Sequence, residues 1–412
     1  MQFIKTNSND ALEIIKNSNV FLTGPPGSGK TYLINKYIEW AEINRVLSIT
    51  ASTGIAAKLI NGVTLHSWAG IGLGEGTKEK LFEKINENRY KKKNWKKTQV
   101  LIIDEVSMIS WELWVTLDYI GRNIRKIDRP FGGIQIIAVG DMYQLPPVKG
   151  TLLISNPEFK SYFDYSICLD KIFRSNDMNL NTILDNVRMG VELNQEQHAM
   201  LKSKVNKNNI MYPILVSLRD SANQMNSEKL NQIDSEQFIS EMKIYCVDSK
   251  TGALIDNNDM LMKIAIGDCP LENKLVLKKG VPVINLINNK EQNIVNGSVG
   301  TVKDHVNNNI VVTFNNNTIE ITKHRWIKEF PDINIVIEQY PLLLAYALTI
   351  HRAQGQTLSQ GSLLLDKTVW EDGQAYVALS RFKNLDNVTL IKYNENVFKT
   401  NKMVREFYNQ FI

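Results

Sequence analysis

Four short apolar runs constrain the first third of this chain more than anything else in it: VFL (20–22), VLSIT (46–50), VLII (100–103) and IQIIAV (134–139). Each is dominated by aliphatic or β-branched residues, and each gives way at its carboxyl end to glycine or polar residues. Runs of this kind are strands buried on both faces, and the helical stretches between them make the sheet parallel. In such sheets ligands sit beyond the carboxyl ends of the strands. Three of the runs end in chemistry: TGPPGSGKT (23–31), DEVSM (104–108) and GDMYQ (140–144). The pattern describes one crevice assembled from separate strands.

The chain's 412 residues suffice for two or three domains. The first lobe is read over 1–168, with a small insertion at about 69–98 that runs from a glycine-rich turn (GIGLGEG, 70–76) to KKKNWKK (91–97). This lysine run has two readings, a nucleic-acid patch or, the preferred one, the solvated end of a helix before the VLIID strand. Leu113, Leu117, Ile120 and Ile124 fall at helical spacing and are expected in the core. From 170 to 270 the chain is more polar and reads as helical, with one strand at PILVSL (213–218). Short alternating runs then follow, broken by Asn-rich turns at 307–309 and 315–317, which suggests a small β-barrel over 280–335. Buried-strand signals return at YALTI (346–350), SLLLD (362–366) and VTLIKY (388–393). The second α/β lobe is therefore read as two pieces, 169–279 and 336–412. The expected fold is α/β, with two parallel-sheet lobes and a small inserted barrel.

Gly24, Pro25, Pro26, Gly27, Ser28, Gly29, Lys30 and Thr31 match G-x-x-x-x-G-K-[ST] between a strand and a helix expected to start near Tyr32. In such a loop the backbone N–H groups face phosphates, Lys30 reaches the β and γ oxygens, and the Thr31 hydroxyl ligates Mg²⁺. Asp104 at the next strand end suits the Mg²⁺ shell, and Glu105 suits orienting or deprotonating a water. Gln144 overhangs the same crevice between Tyr143 and Leu145-Pro146-Pro147. An amide there can accept from an attacking water and donate to a γ-phosphate oxygen, which makes Gln144 a candidate sensor. Arg174 in IFRS and Arg381 in VALSR have two readings, surface charge or the cation that meets phosphoryl charge.

The ordered series TGPPGSGKT, TASTGIAA (50–57), GVTLHSWAGIGLGEG (62–76), DEVSM, PFGGIQ (130–135), GDMYQLPPV, IFR, IHRAQGQTL (350–358) and QAYVALSR (374–381) resembles superfamily-one B helicases. Within them it is similar to the Pif type, relatives of the RecD-like enzymes. The stretch from DEVSM to PFGGIQ resembles the segment that marks that subfamily. The resemblance implies two RecA-like lobes of the P-loop NTPase class, with ATP between them and single-stranded DNA across their top. It implies that Arg174 and Arg381 are arginine fingers, that Gly355 belongs to the ATP site, and that 280–335 is an accessory domain. By the same resemblance Thr53, Thr64, His66 and His351 lie where the family touches DNA, although His66 reads also as a satisfied structural histidine. The N-terminal Gln by which relatives read adenine has no clear counterpart, and Asn7 and Asn9 are the candidates to stand in for it.

The expected function is an ATP- and Mg²⁺-dependent DNA helicase that moves 5′→3′ on single-stranded DNA and opens duplex junctions, acting as a monomer. An RNA helicase or remodelling translocase shares the same motor chemistry. A P-loop kinase would not need a second lobe bearing arginine motifs. The rest of the composition agrees with a soluble intracellular protein. Net charge is +5, the three cysteines lack CxxC pairing, the five histidines show no metal-ligand spacing, and nothing resembles a membrane span or leader.

Overall fold

The computed structural model describes residues 1–412 other than 7, 73, 170, 174, 250, 268, 270, 288, 290, 291, 293, 295–297, 315, 316, 331 and 412. Its contacts divide the chain into two compact units. The first is Met1–Leu193 with Glu371–Ser380 and Phe398–Ile412, and the second is Asn194–Trp370 with Arg381–Val397.

The first unit is built on a seven-stranded sheet of β1 (Gln2–Lys5), β2 (Val20–Thr23), β3 (Leu47–Ala51), β4 (Val63–Thr64), β5 (Val100–Asp104), β6 (Gln135–Val139) and β7 (Tyr165–Cys168). The strand order is β1-β7-β2-β6-β5-β3-β4, and every pairing is parallel. The four apolar runs are all strands, and β1, β4 and β7 extend the sheet beyond them. Helix Lys30–Ala41 lays Leu33, Ile34, Tyr37, Ile38 and Ala41 against the sheet, an i, i+4, i+8 stripe that follows from 3.6 residues per turn. It shares one core with Val20, Leu22, Val100, Ile102, Ile137 and Val139.

Register then decides where the chemistry goes. Leu22 lies opposite Val139, and Ile103 opposite Ala138, so β2, β6 and β5 are neighbours that end level with one another. Helix Trp111–Arg125 begins at Ser110, whose hydroxyl accepts from Leu113 N at 3.2 Å. It buries Trp114, Leu117, Ile120 and Ile124. Leu113, expected in the core, is only half-buried. The indole of Trp114, one residue along, fills the space against Phe131 and Phe159.

The 69–98 insertion contains helices Lys78–Glu87 and Arg89–Lys97. Trp95 is fully buried, with its ring centroid 4.5 Å from that of Trp68 and its Nε1 donating to Ala69 O at 3.1 Å. Lys93, Lys96 and Lys97 around it are exposed, and Lys91 is tethered to Gly70 O at 2.9 Å. The lysine run thus clothes a helix that one tryptophan anchors.

The first unit's limits differ from the 168/169 boundary expected from composition. Helix Met178–Met189 and the returning segments 371–380 and 398–412 all belong to it. Buried packing draws them in. Phe407 sets its ring 5.6 Å from Phe3 and 5.9 Å from Phe21, and Thr400 donates to Val187 O at 2.8 Å.

The second unit holds a parallel four-stranded sheet ordered Ala347–Thr349, Ile214–Val216, Gly361–Leu365, Val388–Tyr393. Among the described residues the 280–335 stretch does not pair as a closed barrel. Pro282–Asn285, Val299–Val306, Asn309–Phe314 and Asn317–Ile321 form an antiparallel sheet completed by Leu342–Leu344. Its outer strands, Asn317–Ile321 and Leu342–Leu344, are not paired with each other among the described residues. His324–Glu329 joins a separate sheet with Ile333–Gln339, Lys243–Asp248 and Leu254–Ile255. That sheet, with Gln237–Glu241, puts strands inside the region read as helical. Along 237–255 only Ser240 and Cys246 are buried among the described residues, and a half-polar alternation of that kind is easily missed. Asn307 and Asn308 do make a left-handed turn, with φ of 49° and 62°, while the second turn overlaps residues 315 and 316, outside the described residues. Cys168 and Cys246 are buried and Cys269 is half-buried, and none of the three is in a disulfide.

If the C-terminal helix Lys402–Tyr408 is part of the first unit's core, Phe407→Ala will destabilise that unit by about 3 kcal/mol. Chemical denaturation followed by tryptophan fluorescence, which reports Trp114 of this unit, checks it.

Candidate active site

The loop after β2 depends on glycine. Gly24 has φ of +146°, and a Cβ there would sit 2.3 Å from Leu169 O and 2.8 Å from Ser28 Oγ. Gly29, in the left-handed region at φ 89°, turns the chain into helix Lys30–Ala41, two residues before the start expected from sequence. The amides of the loop and of the first helical turn are thereby gathered at a helix N-terminus, where backbone N–H groups and the helix dipole favour an anion. Lys30 folds back over the loop and donates to Gly24 O at 2.7 Å and Pro25 O at 3.0 Å. Its ammonium is held below the ordinary lysine range by burial, against the charges of Asp141, Glu105 and Asp104, which raise it. These groups converge. A half-buried lysine that donates to two carbonyls and feels three carboxylates can exchange those carbonyls for the oxygens of an anion. The Ser28 hydroxyl is buried without a hydrogen-bond partner, as a donor awaiting an anion would be. Thr31 is exposed at the head of the helix.

At the end of β5, Asp104 Oδ1 accepts from Glu105 N at 2.9 Å. Burial, and then the charge of Glu105, push the Asp104 carboxyl up to about 7, against the Glu105 amide and Lys30. Glu105 sits at φ 51°, ψ 45°, left-handed for a residue that is not glycine. Strain of that kind is worth about 1–3 kcal/mol and gathers at functional sites. Gly140, at the end of β6, brings the chain so close that a Cβ would lie 3.0 Å from Val106 N. The β5 and β6 ends therefore touch.

Gln144 is buried. Its amide N donates to Asp141 O at 2.9 Å, closing the turn, while its Oε1 is buried with no partner. A buried, unpartnered amide acceptor on the turn after β6, the strand between β2 and β5, suits a water to be oriented there. The turn is held from the other side by Gly373, where a Cβ would lie 2.4 Å from Tyr143 O and 2.9 Å from Gln144 O. Buried packing reaches Leu145, whereas Pro146 and Pro147 are half-buried at the rim.

The remaining expected residues fall elsewhere. Arg174 lies outside the described residues, as does Asn7, and nothing is described of the Asn9 side chain. Arg174's neighbour Phe173 is exposed, with its N donating to Gly27 O at 2.8 Å. Arg381 belongs to the second unit and is almost wholly buried, its Nη1 donating to Gln356 O at 3.2 Å. Gly355 forms a left-handed turn at φ 78° in the same unit. Thr53 and Thr64 are helix caps, with their hydroxyls accepting from Ala56 N at 3.2 Å and Ser67 N at 3.3 Å. His66 is half-buried in the first unit and His351 in the second, and burial lowers the pKa of both.

Sequence reasoning passed over Asp141, Arg188 and Tyr408. Arg188 donates to Asp141 through Nε at 3.1 Å and Nη2 at 3.0 Å, and Tyr408 through its hydroxyl at 3.2 Å. The one available signal was the acidic residue inside GDMYQ.

A parallel sheet whose neighbouring strands end in a phosphate loop, an acidic pair and a buried glutamine defines a P-loop nucleoside triphosphatase on a RecA-like lobe. The comparisons with known proteins carry this to a family. Residues 5–207 match the model of the PIF1-like helicases. The chain is 32% identical over 411 residues to an ATP-dependent DNA helicase Pif1 of Bdellovibrio bacteriovorus, covering 97% of this chain and 90% of that one. It is 33% identical to an ATP-dependent DNA helicase PIF1 of Xenopus laevis, of whose length it spans 62%. Among solved structures it is similar to the Pif1 helicase of Candida albicans, with 29% identity, a TM-score of 0.81 and full coverage of both chains. It is likewise similar to a Bacteroides Pif1 solved with ADP-AlF4, with 26% identity, a TM-score of 0.80, and coverage of 98% of this chain and 96% of that one. The chain belongs to the Pif1-like helicase family. No described helix is long and apolar enough to cross a membrane.

The raised pKa of Asp104 makes a stability prediction. Its carboxyl keeps its proton in the fold up to about pH 7 but loses it near pH 4 in the unfolded chain. The folded state therefore binds more protons between those values, and the stability this group contributes is lost as pH rises through 7. Asp104→Asn, which mimics the protonated form, should melt a few degrees above wild type at pH 8, with the gap narrowing as pH falls through 7 and closing near pH 4. Calorimetric scans across that range check it.

Proposed function

We propose that this protein is an ATP-driven DNA translocase that moves 5′→3′ along single-stranded DNA and opens duplex at junctions. The observation that carries the reading is the convergence of Lys30, Asp104 and Glu105 at the ends of β2 and β5, with Gln144 on the turn after β6, the strand between them. Gly24 to Thr31 would cradle the triphosphate, with Lys30 moving from the loop carbonyls to the β and γ oxygens. Thr31 and Asp104 would hold Mg²⁺, which supplies charge neutralisation on the phosphates. Asp104 would give up its proton to hold the ion, in keeping with a carboxyl pushed up to about 7. Glu105 orients or deprotonates the attacking water, and Gln144 reads the γ-phosphate. Arg174 and Arg381 are proposed as the cations that meet transition-state charge, and Gly355 as part of the nucleotide site, on their correspondence to family motifs. Thr53, Thr64, His66 and His351 are proposed along the DNA track on the same ground, the two threonines in addition to their capping roles. Single-stranded DNA as the ligand is supported by a Bacteroides Pif1 solved with it, 27% identical at a TM-score of 0.68.

Hydrolysis measured alone, with single-stranded DNA and with RNA, together with unwinding of 5′-tailed and 3′-tailed duplexes, tests the reading. DNA should stimulate turnover and only the 5′-tailed duplex should open. Stimulation by RNA alone would replace this reading with that of an RNA motor. Lys30→Ala should abolish hydrolysis while nucleotide-free DNA binding survives, because Lys30 serves only the phosphates. Gln144→Ala should bind Mg·ATP within a few-fold of wild type yet lose most DNA-stimulated turnover, and Arg381→Ala should lose ~10³ in turnover. Stopped-flow nucleotide binding beside an ATPase titration separates affinity from turnover in each.

A further inference from the structure

Asp141 is a fully buried carboxylate with more partners than a turn requires. A Gly-Asp turn needs only the local bond from Tyr143 N to Asp141 Oδ1, here 3.3 Å. To this the fold adds the Arg188 fork, the Tyr376 hydroxyl at 3.1 Å from Oδ2, and the Tyr408 hydroxyl on Oδ1. Tyr408 is itself anchored, since its hydroxyl accepts from Met142 N at 3.0 Å and bonds the Thr23 hydroxyl at the end of β2. The rings add a second layer. Tyr143 stacks on Tyr408 with centroids 4.5 Å apart, and the Arg188 guanidinium lies over both, 4.6 Å and 5.0 Å from their centroids. One carboxylate thus ties together β2, the turn after β6, helix Met178–Met189, helix Gln374–Leu379 and helix Lys402–Tyr408, all within the first unit.

The consequence falls on Gln144. Its amide hangs on the backbone oxygen of Asp141, and the residue between carries the stacked ring. The turn cannot shift as a body without disturbing the Asp141 bonds. Arg188 and Asp141 also bear on the phosphate site itself, because both charges are felt at Lys30 with opposite sign. The pairing keeps a third carboxylate beside the phosphate loop from standing as a bare negative charge.

We propose that Arg188, Tyr376 and Tyr408 are positioning residues that hold the Asp141 carboxylate and, through it, the Gln144 turn in the orientation that turnover requires. The proposal rests on the reading of Gln144 as the γ-phosphate sensor. None of the three need touch the nucleotide. Arg188 supplies a planar fork that lysine cannot reproduce, and Tyr376 supplies one hydroxyl at the junction between the turn and helix Gln374–Leu379.

Tyr376→Phe removes one oxygen and keeps the ring, so it tests the clamp with least damage to the core. In the full chain it should bind Mg·ATP within about threefold of wild type while DNA-stimulated turnover falls about tenfold. Arg188→Lys should show the same split. Arg188→Gln leaves Asp141 charged and unpaired and is expected to fold poorly. The pair Asp141→Asn/Arg188→Gln restores a neutral, foldable contact but not turnover, which separates folding from positioning. The decisive measurement is the double variant Gln144→Ala/Tyr376→Phe. If the clamp acts through Gln144, turnover in the double variant is no lower than in Gln144→Ala alone. Losses that multiply overturn the clamp, as does wild-type turnover in folded Tyr376→Phe. If Gln144→Ala itself turns over normally, the sensor reading on which the clamp rests is overturned instead.

Discussion

The parallel register of β2, β6 and β5 is the constraint on which the site depends. Leu22 opposite Val139 and Ile103 opposite Ala138 bring three strand ends to one level, so that a loop, an acidic pair and a turn separated in sequence share one space. A slip of one residue would turn each strand's buried side chains to the opposite face and carry the Asp104–Glu105 pair about 3.3 Å from the phosphate loop. The register is enforced by bulk: Leu22, Val100, Ile102, Ile137 and Val139 share a core with the helix that begins at Lys30. The packing that stabilises the lobe and the alignment of its chemistry are therefore the same contacts.

Charge follows from that alignment. Lys30 feels Asp141, Glu105 and Asp104, and Arg188 opposes them. Of the three carboxylates, Asp141 is fully buried and is compensated by a bidentate arginine and two phenols, the arrangement that makes a buried charge tolerable. Asp104 lacks such compensation, and its carboxyl rises to about 7. Glu105 is held in a left-handed conformation beside it. The uncompensated and strained groups stand where a cation and a water would be handled, while the compensated one stands behind the turn. Burial and partners have thus given similar side chains unlike electrostatic settings.

The phosphate loop, the acidic pair, the Gln144 turn and the four strands were legible because each is a contiguous stretch whose backbone geometry is set by its own residues. Glycines at positive φ, a lysine one residue past Gly29 and an aliphatic run before them leave few alternatives. The family resemblance rested on these stretches together with others, such as IHRAQGQTL and QAYVALSR, that are equally contiguous. Less legible were the half-polar strands at 237–255, where few residues are buried, and the open pairing of the 280–335 region. A barrel and an open sheet present the same alternation to a reader of sequence.

What only the tertiary structure decided is which distant groups meet. The partners of Asp141 lie 47, 235 and 267 residues away at Arg188, Tyr376 and Tyr408. The first unit ends at Leu193 and then reclaims 371–380 and 398–412 because Phe407 and Tyr408 find their buried neighbours there. A strand or a phosphate loop is written in adjacent residues, since φ, ψ and periodicity are local properties. A buried carboxylate accepts whatever donor the fold delivers, so its partners become visible only once the chain has closed around it.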